Sequence, residues 1–85
     1  MNEFLEKAKM LLLSRKQAYE QTFNDGPNAK LVLKDLADFC RADKSTFHEN
    51  ERIHAVLEGR REVWLRVQKY LQLTPEELWD LHRRE

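Results

Sequence analysis

The stretch Gly59-Arg60-Arg61-Glu62-Val63-Trp64-Leu65-Arg66 decides the fold, because it threads arginines through an apolar helical stripe. Working outward, Ile53, Val56, Leu57, Val63, Trp64, Val67, Tyr70 and Leu71 recur three and four residues apart. That spacing lays them along one side of a long α-helix, predicted to end near Gln72. Arg60 falls on the same stripe, where an apolar residue is expected. A half-buried guanidinium needs a carboxylate or carbonyl partner. The expected partner is Asp35 on the preceding helix, with Asp38 the second choice. Arg61 and Arg66 read instead as a solvated face, paired with Glu58 at i,i+3 and with Glu62 at i,i+4. Gly59, costly inside a helix, is expected to let another helix approach closely.

Three further helices are read around this one. The first runs from about Glu3 to Thr22, with Phe4, Leu5, Ala8, Leu11, Leu12, Ala18 and Tyr19 on or near one face. Met10 and Leu13 widen that face beyond what one neighbour covers. Asn24-Asp25-Gly26-Pro27 is the clearest break: Gly for unusual backbone angles, Pro for a turn or first helical position, Asn or Asp as a cap. A second helix then sends Ala29, Val32, Leu33, Leu36, Phe39 and Cys40 to the core. Arg41 to Ser45 is a polar connection. Thr46 with Glu49, or else Asn50, starts the long third helix. Thr74-Pro75-Glu76-Glu77 marks a fourth, short helix through a cap, a proline at its first position and two acids. The predicted class is therefore all-α, a compact bundle of three to four helices forming a single domain over residues 1–85.

Composition narrows the function classes. The chain has 85 residues, 41% hydrophobic and 35% charged, with 15 basic against 15 acidic residues. The balance holds in each half, so net charge encodes no general attraction to nucleic acid or to an anionic membrane. The longest apolar run, Met10 to Leu13, is too short to cross a bilayer. The N-terminus lacks the pattern of a signal peptide, and the lone Cys40 cannot form an internal disulfide. A soluble, intracellular polypeptide with no membrane partner is expected.

Chemistry-bearing residues are sparse. Cys40, His48 and His54 lack paired metal-ligand spacing, so no metal is expected. Cys40 sits on an apolar stripe rather than in an electropositive, accessible place that would activate a thiolate. No phosphate loop, nucleophile elbow or metalloprotease motif occurs. The expectation is a protein that is not an enzyme and binds no cofactor. Two binding readings remain. One is a protein partner met by Leu12, Leu13, Arg61, Arg66 and Trp79, with a homo-oligomer through the first helix as one form of it. The alternative is a helix-turn-helix-like nucleic-acid-binding protein using the second and third helices. Against it, the segment between those helices is longer than the motif's turn, and the arginines alternate with glutamates. Trp64 and Phe39 are assigned to the core, and Trp79, on the short last helix, to partial exposure.

From Phe23 to Thr74 the chain resembles a family of small proteins of tailed phages and prophages, typified by a Bordetella phage protein. The matching features are Phe23, the small-residue turn, Val32-Leu33-Asp35-Leu36-Phe39-Cys40, then Ser45-Thr46-Phe47, then Glu58-Gly59-Arg60-Arg61 with Val63-Trp64-Leu65-Arg66. The first helix and the segment after Thr74 lie outside that resemblance. It implies a phage or prophage origin and no catalytic machinery. Members of this kind lie among genes for virion structure and DNA packaging, which implies an accessory role in particle assembly or in binding a host protein. The implied location is the host cytoplasm or the virion.

Overall fold

Four helices form where caps and breakers allow them. The computed structural model describes residues 2–85 and holds α1 (Glu3–Thr22), α2 (Pro27–Phe39), α3 (Glu51–Gln72) and α4 (Pro75–Arg84), with no strand among the described residues. Asn2 caps α1 by accepting from the Phe4 N–H at 2.9 Å. Asn50 caps α3, its Oδ1 accepting from Arg52 and Ile53, so of the two expected starts it is Asn50 that is used. Thr74 and Glu77 close a full capping box at the head of α4, with Pro75 in its first turn.

The α1–α2 turn works differently from its expected chemistry. Gly26 is the N-cap of α2 with an ordinary φ of −69°, and no side chain caps that helix. The Asn24 carboxamide oxygen accepts from the Gly26 N–H at 2.7 Å, and a Cβ at Gly26 would lie 2.8 Å from that oxygen, so a larger residue would push the Asn24 side chain aside. At the other end of α2, Arg41 takes the left-handed conformation with φ 56°. The Ala42 N–H then donates to Ala37 and the Arg41 N–H to Asp38, which is the Schellman arrangement.

Burial concentrates where α1, α3 and α4 meet. Leu12, Tyr70 and Leu78 form the core cluster, with Tyr19, Leu73 and Trp79 packed around it. The Tyr19 and Tyr70 rings stack with centroids 4.7 Å apart, a contact worth about 0.5–1.5 kcal/mol beyond its burial. Lys16 is only 8% exposed. Its Nζ donates to the Tyr70 carbonyl at 3.1 Å, at the electronegative end of α3, and pairs with Glu20 at 3.5 Å. Ala29 of α2, Cys40 at its C-cap and Leu57 of α3 are buried as well.

The four helices form the expected all-α bundle, somewhat extended and thin. Its extents are 50 × 34 × 15 Å and its radius of gyration is 15.5 Å. A compact chain of this length should measure about 12 Å. Helices do touch, α1 against α3 and α4, and α2 against α3. A layer this thin leaves apolar faces uncovered. Phe39, assigned to the core, is 56% exposed, and Val32, Ile53, Val56 and Val63 are exposed as well. Periodicity placed these residues on buried faces, and the structure corrects that: the chain supplies no second layer to cover them.

Gly59 is also placed otherwise than expected. A Cβ at that position would meet nothing within 4 Å, so no helix of this chain approaches it.

Candidate protein-binding site

Between α1 and α4 lies a half-open cleft of about 290 Å³ lined by Lys9, Met10, Leu12, Leu13, Pro75, Glu76, Leu78 and Trp79. Its geometry follows from two local features. The Thr74–Glu77 box fixes where α4 begins, which drives Leu78 into the core and leaves Trp79, one residue on, half-buried at the cleft. Along α1, Leu12 packs inward against Leu78 and Tyr70 while Leu13 and Met10 remain at the rim.

Trp79 is framed by cations. The Lys9 Nζ stands 5.0 Å from its ring centroid and the Arg83 guanidinium 5.8 Å, and the His82 imidazole stacks at 5.8 Å. Arg83 is held in turn by Asp80. Such contacts favour one orientation of the indole, each by roughly 0.5–1 kcal/mol at an exposed site. The cleft therefore offers an apolar floor, an aromatic wall and one residue of each charge at its edge, Lys9 and Glu76. At about 290 Å³ it falls just under the roughly 300–1,000 Å³ of small-molecule sites.

The five residues expected to meet a partner are not in one place. Leu13 (36% exposed) and Trp79 come together at the cleft. Leu12, at 7% exposure, is a core residue and forms the cleft's floor rather than its surface. Arg66 is exposed and lies over the Tyr70 ring at 5.6 Å, with no ion pair to Glu62 among the described residues. Arg61 is half-buried, and instead of pairing with Glu58 it donates to the carbonyls of Arg41 and Ala42 at 3.2 and 3.4 Å. Arg60 makes no ion pair with Asp35 among the described residues; its guanidinium lies 4.3 Å from the Phe39 ring centroid. The stripe position of Arg60 predicted its half-burial, and an exposed aromatic ring, not a carboxylate, receives it.

Glu58 is occupied from another direction. The Thr46 hydroxyl donates to Glu58 Oε1, and the Thr46 carbonyl accepts from His54 Nδ1 at 3.0 Å. A carbonyl can only accept, so Nδ1 carries the hydrogen and Nε2 faces Glu58, 3.8 Å away. Thr46, Glu58, Arg60 and Arg61, which carried much of the sequence resemblance, thus converge on the α2–α3 junction and fasten it. Lys16 belongs to no motif; its one signal in the sequence is a lysine between Leu12 and Tyr19 on the inward face of α1.

The fold and the cleft define a small all-helical protein with an apolar cleft between α1 and α4. No helix among the described residues is long and apolar enough to cross a membrane. The family model of the Bbp19-like phage protein matches residues 19–83, more than three quarters of the chain, so this protein belongs to that family of bacteriophage proteins, whose namesake is a Bordetella phage protein. No curated protein and no solved structure matches the chain. The match runs past Thr74 to include α4, which the sequence resemblance left outside. It begins near the end of α1, so Leu13 and the rest of the α1 wall lie beyond it while Trp79 lies within it.

Proposed function

We propose that this phage protein is a non-catalytic protein-binding module that seats an apolar side chain of a viral or host protein between α1 and α4. The observation carrying the reading is the pairing of Leu13 with Trp79 over an apolar floor, at a cleft edged by Lys9 and Glu76. A large anchor buried in such a cleft supplies most of an interface's binding energy, and the charged rim sets its orientation. The partner belongs either to the assembling particle or to the host, and the protein acts in the host cytoplasm or on the virion. Arg61, which a nucleic-acid-binding helix would direct at phosphates, is engaged within the protein by the Arg41 and Ala42 carbonyls, which supports the protein-binding reading.

Affinity capture from infected cells, with and without nuclease, tests the reading. A protein retained after nuclease treatment by the unmodified chain, and lost with Leu13→Glu, supports it. Capture of nucleic acid alone, or of proteins that nuclease releases, replaces it with the nucleic-acid reading.

A further inference from the structure

The exposed faces of α2 and α3 lie away from the α1–α4 cleft and pose a separate question. At 3.6 residues per turn, Leu31, Val32, Asp35 and Phe39 fall within about 100° of one another around α2, and all four are exposed. On α3, Ile53, Val56, Arg60 and Val63 fall within about 80°, at the alternating three- and four-residue spacing of a helix-packing seam. The three apolar members of that set are exposed too. The Arg60–Phe39 contact joins the two stripes into one surface. Each stripe carries one charge among its apolar side chains, Asp35 on α2 and Arg60 on α3, and the charges at the stripe edges, exposed Asp38 and Arg52, repeat the same signs. Among the described residues neither Asp35 nor Arg60 is in an ion pair.

We infer that this surface is covered by a second copy of the chain in a two-fold symmetric dimer, with Asp35 of each copy pairing with Arg60 of the other. Three observations select that occupant. A layer 15 Å thick lacks the second layer on which a helical core is normally built, and a second copy supplies one of matching outline. A two-fold interface must be self-complementary, and a surface with an acid on one stripe and a base on the other becomes so when rotated onto itself. Finally, the six apolar side chains, each roughly half exposed, present on the order of 500 Å² per protomer, and with their polar rim approach the roughly 800 Å² per partner of a stable interface. A shallow hollow between Arg52, Ile53, Val56, Leu57 and Arg60 gives a projecting side chain of the second copy a seat.

Sedimentation velocity over micromolar concentrations tests this, with circular dichroism confirming that each variant remains helical. The unmodified chain should sediment at twice its 10.3 kDa mass. Asp35→Arg, which sets arginine against arginine, should weaken the dimer on the order of 100-fold. Val63→Glu should weaken it as well, and Asp35→Arg with Arg60→Asp should restore it. Asp35 is exposed and unpaired, so its variant keeps the test valid should Val63→Glu fail to fold. A chain that stays monomeric throughout, or a dimer indifferent to Asp35→Arg, overturns the inference. A charge swap that fails to restore the dimer overturns the reciprocal pairing.

Discussion

Arg61 of α3 donates to the main-chain carbonyl of Arg41 at 3.2 Å, and Arg41 is the one described non-glycine residue in the left-handed conformation, φ 56°. The two facts belong together. A Schellman turn needs a left-handed residue just past the helix end, and the carbonyl of that residue already accepts from the Lys44 N–H at 3.2 Å. Arg61 adds a second donor from a distant helix and so ties the end of α2 to the middle of α3. Arg61→Ala should lower unfolding stability by about 1–2 kcal/mol, measured by urea denaturation. No loss would show the guanidinium to be an ordinary surface charge.

The left-handed Arg41 itself is strained in a way that glycine is not. Arg41→Gly should therefore raise stability by about 1 kcal/mol, since only its carbonyl is used by Arg61. A lowered melting temperature would mean that the Arg41 side chain makes a contribution larger than its backbone cost.

Gly59 offers a second site for improvement. It stands inside α3 with open space where a Cβ would go, so Gly59→Ala should add about 0.5–1 kcal/mol. The same urea titration reads it. A destabilised alanine variant would restore the idea of a close helix approach at that position.

Lys16 is buried, and its ammonium serves the last turn of α3 through the Tyr70 carbonyl. Lys16→Met keeps most of the stem's packing and removes the donor, so stability should fall by about 1–3 kcal/mol as that carbonyl loses its partner. A neutral result would show that the stem's burial is what matters.

Helix ends were the most legible part of this fold. Thr74, Pro75 and Glu77 specify the start of α4 through bonds within four residues, and Asn50 does the same for α3. Such signals are local and survive any tertiary arrangement. Periodicity sent Val32 and Phe39 to the core and set Ile53 and Val56 on the packing stripe of α3, yet all four are exposed, because burial depends on how many layers the helices form. The same distinction explains Arg60. Its place on the stripe foretold a half-buried stem, while the choice between Asp35 and Phe39 turned on an interhelical offset that no local pattern carries. Arg61 was less accessible still, since its partners are carbonyls, which every residue possesses. At the cleft, Leu13 and Trp79 could each be singled out as surplus apolar residues, and only the docking of α4 on α1 brings them together.

Site-specific photo-cross-linking in infected cells tests the central claim most directly, with a photoreactive phenylalanine analogue placed at Leu13 and, for comparison, at exposed Lys44 in the α2–α3 connection. A cleft that seats a protein partner should give one cross-linked product with a different polypeptide from position 13, lost on Trp79→Ala, and no such product from position 44. Equal labelling from both positions, or none from position 13, would contradict the account.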